Sequence, residues 1–187
     1  NTIEAAESPA DESWANINAM DDLCRAILGC GSHYVVAAMQ GNAGAGGVFL
    51  ALTSDRVVAR EGVILNPHYK GMGNLYGSEY WTYLLPRRVG RERAQAITQN
   101  RLPIGAPEAV EQGLIGACFG ADVPAFAAQV RKQAYELAAR PDLAQMVEEK
   151  RATRARDEAA KPLEAHRQEE LARMKLNFYG FDPSYHV

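Results

Sequence analysis

The spacing of apolar side chains along the chain predicts a mixture of helices and short strands. Apolar residues recur at helical spacing after Ser8, where a capping serine, a proline and early acidic residues favour a helix start. This first helix is expected to reach about Leu28. A charge-rich helical segment covers residues 141–176, with Pro162 as a break. Further helices are predicted at residues 48–54, 78–89, 91–100, 107–113 and 123–139.

Runs rich in β-branched and aromatic residues predict the strands. Residues 34–36 are interpreted as the end of a buried strand, and residues 114–119 as an edge strand. Two short strands, 56–60 and 63–65, are expected to pair as a hairpin. Residues 66–76 contain three glycines and a proline and predict a loop of the kind that presents functional side chains.

A glycine-rich turn separates the strand near residue 36 from the helix near residue 48, and it contains Gly41, Gly44, Gly46 and Gly47. Glycine lets a backbone approach a ligand closely, and the first N–H groups of a helix have no partner inside the helix. Such an end suits a developing negative charge. One interpretation is therefore an oxyanion hole, in which a backbone N–H near Gly46 polarises a thioester carbonyl.

Other glycine motifs fit this turn less well. A phosphate-binding loop needs a lysine and a serine or threonine after the glycines, whereas Val48 and Phe49 follow here. A dinucleotide-binding fingerprint needs a third glycine at a fixed spacing after Gly44 and Gly46, and no glycine lies at that position. A turn that uses glycine only for close packing of helix against sheet explains the spacing equally well, so both this interpretation and the oxyanion hole stay open.

Composition narrows the class of protein. The 187 residues are enough for one domain with a sizeable core, and 47% hydrophobic with 23% charged residues is typical of soluble globular proteins. A net charge of −3 gives no reason to expect nucleic acid or an acidic membrane as partner. No run is long enough to span a membrane, and no secretory signal is seen. Three cysteines without metal-ligand spacing predict reduced thiols, no metal site and a cytoplasmic location.

Several motifs occur in a characteristic order. They are QGNAGAGG at 40–47, Asp55, LPRRVG at 85–90, APEA at 106–109 and GLI at 113–115. With them, the segment 33–119 resembles the enoyl-CoA hydratase/isomerase, or crotonase, superfamily. The resemblance implies an α/β fold with a crotonase-like ββα superhelical core and a C-terminal helical extension. We expect the core at residues 1–120, lacking its first strands, and the extension at residues 121–187.

Two positions depart from the hydratase pattern. Phe49 and Tyr69 stand where hydratases place their two catalytic glutamates. Together with GSEYWTY at 77–83 and NFYGFD at 177–182, this makes nearly all of the chain similar to the C-terminal domain of the HypX/HoxX hydrogenase-maturation proteins. That resemblance implies release of carbon monoxide from formyl-coenzyme A for the [NiFe] hydrogenase centre. It also implies that the formyl group comes from 10-formyltetrahydrofolate on a preceding domain, and that the chain is N-terminally incomplete.

The resemblance assigns roles to individual residues. The Gly46 N–H is the expected oxyanion donor, Tyr69 the acid/base and Glu79 its partner. The terminal helices are expected to cover an acyl-CoA site or to form trimers, and the aromatic tail 178–185 is expected to dock. The predicted substrate-binding residues are Gly47, Phe49, His68, Tyr76 and Ser78.

Each assignment has a plainer alternative. Tyr69 and Phe49 also suit a packed core, Glu79 a helix start that favours acids, and His68 an exposed loop. The basic residues of the C-terminal segment are expected to form mostly a solvated face; they are Lys150, Arg151, Arg154 and Arg156.

Three functions follow from these interpretations. The first is a CoA-thioester lyase that releases carbon monoxide from formyl-CoA and works with hydrogenase-maturation proteins. The second is an ordinary acyl-CoA hydratase or isomerase. The third is a domain without catalysis that binds coenzyme A or organises an assembly.

Overall fold

The computed structural model describes residue 3 and residues 5–181, and it confirms the predicted α/β class. The helices are α1 Pro9–Leu28, α2 Gly46–Leu52, α3 Trp81–Val89, α4 Arg91–Asn100, α5 Ala106–Glu111, α6 Val123–Ala138, α7 Leu143–Ala160 and α8 Leu163–Tyr179. The strands are β1 Val36–Met39, β2 Ala43–Gly44, β3 Arg56–Arg60, β4 Ile64–Asn66, β5 Ile104–Gly105 and β6 Ala117–Phe119. None of the helices in this described part is both long enough and apolar enough to cross a membrane.

The strands form two small sheets. In the first, β3 lies between β1 and β6 and runs parallel to both. In the second, β4 is parallel to β2 and antiparallel to β5. The predicted hairpin of β3 and β4 is wrong, because the two strands belong to different sheets. Gly62, with φ of 80°, turns the chain out of the first sheet, and each strand then pairs with partners distant in sequence.

The strand predicted to be buried at residues 34–36 is also wrong in its position and its burial. The strand begins at Val36, which is exposed, and only its last residue, Met39, is buried. It lies at one side of its sheet in the described part of the chain, with β3 as its neighbour. The edge position predicted for residues 114–119 is confirmed for β6, although the strand occupies only its last three residues.

Helix α2 and strand β3 form the centre of the core. Val48 and Phe49 on α2 and Val57 and Ala59 on β3 have no exposed surface. This short apolar helix connects β1 with β3 across the sheet, as a parallel pair requires. The glycine turn is thereby held against buried structure. The division at residue 120 stays a prediction.

The C-terminal segment forms two helices that separate near Pro162, as predicted. Helix α8 extends the predicted range to Tyr179, and Phe178 is buried while the Tyr179 ring meets Trp14 edge-on at 6.3 Å. The docking expected for the aromatic tail is thus seen for these two residues. Phe181 is exposed, and the rest of that prediction lies outside the described residues.

Helix α7 is attached mainly by charged side chains, because none of its residues is fully buried. The Lys150 ammonium donates to Asp55 at 2.6 Å, and the Arg154 guanidinium lies 4.9 Å from the ring centre of Tyr83. The predicted solvated face is therefore wrong for Lys150 and Arg154. It holds for Arg151 and Arg156, which are exposed.

Replacing Lys150 with alanine is expected to loosen α7. Lys150 and Asp55 have side chains only 13% and 17% exposed, so the loss lies between that of a surface pair and that of a buried pair, about 2 kcal/mol. The melting temperature in differential scanning calorimetry should fall by about 4–8 °C. Arg156→Ala, which removes an exposed cation of the same helix, should change it little. Equal effects of the two variants would show that the Lys150 pair does not anchor α7.

Candidate active site

The glycine turn has unusual backbone geometry at the start of α2. Ala45 has φ of 47° and ψ of −122°, a region that alanine rarely adopts, and its N–H donates to the Asn66 carbonyl at 2.9 Å. Gly46 follows as the first residue of α2 and is buried. Within residues 5–181 no hydrogen bond is formed by the Gly46 N–H. The turn therefore presents a backbone donor at the start of α2, and its role as an oxyanion donor stays a prediction.

Glycine at position 46 is required by a close contact with Glu79. A Cβ atom there would lie 2.5 Å from the Glu79 Oε1 atom and 2.8 Å from the Met20 Cε atom. Gly47, by contrast, is exposed, and a Cβ atom at that position would have an ordinary 3.6 Å contact with Ala43. The structure thus brings Gly46 to the site and leaves Gly47 at its outer side.

Tyr69, Ser78 and Glu79 form one buried hydrogen-bonded group. The Tyr69 hydroxyl donates to the Glu79 carboxylate and lies 2.9 Å from the Ser78 carbonyl oxygen. The Ser78 hydroxyl donates to the same Glu79 oxygen at 2.9 Å. Three residues that the sequence analysis selected are therefore in direct contact, although what they do stays a prediction.

The backbone of the loop before α3 explains this arrangement. Gly77 has φ of 97°, and a Cβ atom there would overlap the Tyr69 ring. Glu79 and Tyr80 both have φ of 59°, a left-handed conformation that costs about 1–3 kcal/mol for each such residue. Helix α3 consequently begins at Trp81, so the predicted start at residue 78 is wrong.

Glu79 is therefore not an ordinary acid of a helix N-terminus. It precedes α3, is only 3% exposed and lies among buried groups. A carboxylate that interacts favourably with a helix end normally does so at the surface. The plainer explanation for Glu79 accordingly fails.

Two further buried carboxyls, which the sequence analysis missed, contact this loop. Asp21 on α1 accepts the Glu79 N–H at 2.7 Å, and Glu170 on α8 accepts the Tyr80 N–H at 2.9 Å. A signal was present in the sequence, because each acid lies on an apolar stripe of its helix. Asp21 lies between Ile17 and Cys24 at helical spacing, and Glu170 lies one turn before Met174.

Burial dominates the electrostatics of the group. It raises the pKa of Glu79 against the effect of hydrogen bonds from Tyr69 and Ser78. Burial, followed by the nearby Glu79 charge, raises the pKa of Tyr69 well above its usual 10. Burial also raises the pKa of Asp21 to about 7 and that of Glu170 to about 8. The Tyr69 hydroxyl therefore keeps its proton at neutral pH, and burial makes the Glu79 carboxylate a stronger base than an exposed glutamate.

A cavity of about 250 Å³ is lined by Tyr69. The Phe49 ring forms one wall and stacks on Tyr69, with ring centres 5.4 Å apart and planes at 10°. Phe49 has no exposed surface, so it is a core residue and a cavity wall at once. Tyr76 lines the cavity and meets the Trp81 ring at 5.4 Å, but in residues 5–181 its hydroxyl forms no hydrogen bond to Tyr69 or Glu79.

His68 lines the same cavity and is only 4% exposed. Neither of its ring nitrogens has a hydrogen-bond partner among the described residues, and the Trp81 indole N–H also has none there. The exposed loop histidine offered as the plainer alternative is therefore wrong. The His68 N–H donates to the Asn66 carbonyl at 2.8 Å. Buried polar atoms without partners normally mark a place that a polar ligand or water occupies.

The fold and these residues place the chain in a known class of protein. The family model for enoyl-CoA hydratase/isomerase matches residues 4–174. The chain belongs to this family, and the predicted crotonase-like fold is confirmed.

Similar proteins narrow the class further. The hydrogenase maturation factor HoxX of Bradyrhizobium diazoefficiens is 57% identical over 185 residues, which are 99% of this chain and 32% of that protein. The crystal structure of HypX from Aquifex aeolicus in complex with tetrahydrofolic acid has a TM-score of 0.94 and 54% identity, covering 100% of this chain and 33% of that one. The resemblance to HypX and HoxX is thereby confirmed. This chain spans about one third of their length.

A more distant structure has the same fold. An enoyl-CoA hydratase from Mycobacterium avium subsp. paratuberculosis has a TM-score of 0.81 and 27% identity, covering 95% of this chain and 72% of that protein. The fold is therefore shared with enzymes named as hydratases, and the residues of the site must distinguish the chemistry.

The buried carboxyls predict a measurable pH dependence of stability. Asp21 and Glu170 have folded pKa values of about 7 and 8, above their ordinary 3.8 and 4.5. The folded protein therefore keeps protons that the unfolded chain loses near pH 4. Their stabilising contribution is complete at low pH and is lost as the pH rises to about 7–8, by up to about 1.4 kcal/mol per pH unit for each group.

Asp21→Asn should make this fall less steep, because asparagine does not ionise. Calorimetric melting temperatures at pH 5, 6, 7 and 8 measure the slope for each protein. Glu136→Gln, a change of an exposed acid on α6, should leave the slope unchanged. The same slope for wild type and Asp21→Asn would contradict the expected burial effect.

Proposed function

We propose that the protein containing this chain releases carbon monoxide from formyl-CoA during maturation of a [NiFe] hydrogenase in the cytoplasm. The observation that carries the proposal is the buried Tyr69–Glu79 pair beside the Gly46 N–H, which has no hydrogen-bond partner within residues 5–181. The 57% identity to a protein named as hydrogenase maturation factor HoxX supports the biological setting. In this proposal coenzyme A carries the formyl group, tetrahydrofolate acts on another domain, and other maturation proteins are the partners.

The proposed reaction converts formyl-CoA into carbon monoxide and free coenzyme A. The Gly46 N–H donates to the thioester carbonyl oxygen and orients the formyl group. The carbon–sulfur bond breaks, and the Tyr69 hydroxyl gives its proton to the departing sulfur. The formyl carbon loses its proton to Glu79, which returns it to Tyr69. The C–H electron pair stays on carbon, so atoms and charge balance and the pair ends as it began.

The surroundings of the pair favour this chemistry over hydration. Hydration across a C=C bond needs activated water, and the two positions matched to hydratase glutamates hold Phe49 and Tyr69. Phe49 covers one face of Tyr69 and excludes water from it. The cavity of about 250 Å³ that Tyr69 lines is large enough for a formyl group. The nitrogens of His68 and Trp81, which have no hydrogen-bond partner among the described residues, are available to polar atoms of the thioester arm.

Tyr69→Phe is the direct test of the acid–base role. The change removes one hydroxyl and keeps the ring that stacks on Phe49. Carbon monoxide release from formyl-CoA by the protein expressed from its complete gene should fall by about 10²–10⁴-fold, as is typical for loss of a general acid. Tyr135→Phe is the matched control, because Tyr135 is 77% exposed on α6. It should release carbon monoxide at the wild-type rate.

The same assay separates the competing functions. Wild-type release from Tyr69→Phe would refute the proposed role of the hydroxyl. Turnover of crotonyl-CoA without carbon monoxide would favour an ordinary hydratase. Tight binding of coenzyme A with no reaction of any thioester would favour a binding or assembly domain.

Phe49→Leu tests whether the aromatic wall excludes water. The smaller side chain should admit water to the thioester, so formate from hydrolysis should increase relative to carbon monoxide. Headspace carbon monoxide and formate are measured in one reaction. Phe126→Leu, an equal change in a buried residue packed on Phe119, should leave the ratio unchanged. An unchanged ratio in Phe49→Leu would show that this ring does not control water.

A further inference from the structure

Two consecutive residues before α3, Glu79 and Tyr80, have left-handed backbone conformations with φ of 59°. Residues with a Cβ atom rarely adopt this region, so two in succession persist only where surrounding contacts hold them. This turn sets the direction of the Glu79 side chain, which meets the Tyr69 hydroxyl and lies against Gly46. Whatever holds the turn also places the proposed acid–base group.

Carboxylates from two distant helices hold the turn. Asp21 on α1 accepts the Glu79 N–H at 2.7 Å. Glu170 on α8 accepts the Tyr80 N–H and the Thr82 N–H, each at 2.9 Å. Both carboxyl residues have 0% exposure. Their contacts span 58 and up to 90 residues of sequence, so the turn is held by tertiary structure.

The same face of α8 also contacts the preceding part of the loop. The Asn177 side-chain oxygen accepts the Tyr76 N–H at 3.0 Å, and the Met174 sulfur lies 3.1 Å from the Gly77 nitrogen. Glu170, Met174 and Asn177 are four and three residues apart, which places them on one side of a helix. Helix α8 therefore contacts the loop on both sides of Glu79.

Capping of α3 accounts for only part of this arrangement. The Thr82 N–H is one of the first amides of α3, and Glu170 satisfies it as a helix cap would. The Glu79 N–H lies before the helix, where a neutral acceptor would serve stability without burial of an acid. Burial raises the pKa of Asp21 to about 7, and the Glu79 charge contributes to the rise.

We propose that Asp21 and Glu170 are positioning residues, which hold the Glu79–Tyr80 turn so that the Glu79 carboxylate reaches Tyr69 and the space beside Gly46. Neither carboxyl touches the reacting atoms. The proposal rests on the function proposed above, because the reaction it serves is that of the Tyr69–Glu79 pair.

Variants of Asp21 separate positioning from folding. Asp21→Ala removes the acceptor and should lower kcat for carbon monoxide release about 10- to 100-fold, with KM unchanged, because a small misplacement of a reacting group has effects of this size. Asp21→Asn keeps the oxygen that accepts the Glu79 N–H and should recover most of kcat. Glu170→Gln keeps one of two acceptor oxygens, and its kcat should lie between those of Asp21→Ala and Asp21→Asn.

Two control variants remove apolar contacts from the same helices. Ile17→Ala on α1 and Leu163→Ala on α8 change buried residues that make none of the loop hydrogen bonds. They should lower the melting temperature and leave kcat per folded enzyme unchanged. Equal loss of kcat in these controls, or wild-type kcat in Asp21→Ala, would overturn the proposal. If Asp21→Ala does not fold, Asp21→Asn and Glu170→Gln carry the comparison.

Amide hydrogen exchange makes the result independent of activity. The peptide covering residues 77–83 should exchange faster in Asp21→Ala than in wild type, and Asp21→Asn and Ile17→Ala should match wild type. A wild-type protein that releases no carbon monoxide would refute the proposed function. In that case amide exchange alone tests whether Asp21 holds the Glu79–Tyr80 turn. Equal exchange of residues 77–83 in Asp21→Ala and wild type would show that it does not.

Discussion

The cost of burying carboxylates governs the arrangement of this molecule. An ionised acid removed from water must receive hydrogen bonds or charge partners, or it takes up a proton. Glu79 receives the hydroxyls of Tyr69 and Ser78. Asp21 receives a backbone N–H and lies 3.7 Å from the Arg167 guanidinium. The loop before α3 and the helices α1 and α8 that contact it are organised by these requirements.

The scaffold of the family leaves room for this specialisation. Short strands and helix α2 fix the glycine turn, and that turn presents the Gly46 N–H. The chemistry is then set by side chains that enter the same space. Here an aromatic wall and a tyrosine–glutamate pair occupy it, so the fold alone does not decide the reaction.

Local pattern predicted the parts of the structure that depend on local forces. Helix α1 follows from its capping serine and apolar spacing, and Pro162 marks the separation of α7 from α8. The predicted hairpin failed because β3 and β4 pair with strands distant in sequence, which no short window reveals. Glu79 was assigned to a helix because its left-handed backbone depends on tertiary contacts.

Some residues of the candidate site could be predicted from sequence motifs, and others could be found only in the folded structure. The sequence motifs predicted Gly46, Tyr69 and Glu79 as site residues, and the structure places them together. Asp21 and Glu170 were not predicted, because a single acid on an apolar helix face belongs to no sequence motif. The loop groups that they accept from include backbone amides, which carry no signature in the sequence. Only the folded arrangement shows what such an acid contacts.

The contact between Glu170 and the loop also bears on how the protein is made. Glu170 on α8 is synthesised ninety residues after Tyr80. A nascent chain therefore contains Glu79 and Tyr80 long before the carboxyl group that holds their turn. Until α8 emerges and docks, two left-handed residues lack their restraint. The turn that positions Glu79 is therefore completed only by the last helix described here, after the strands and the glycine turn have been synthesised.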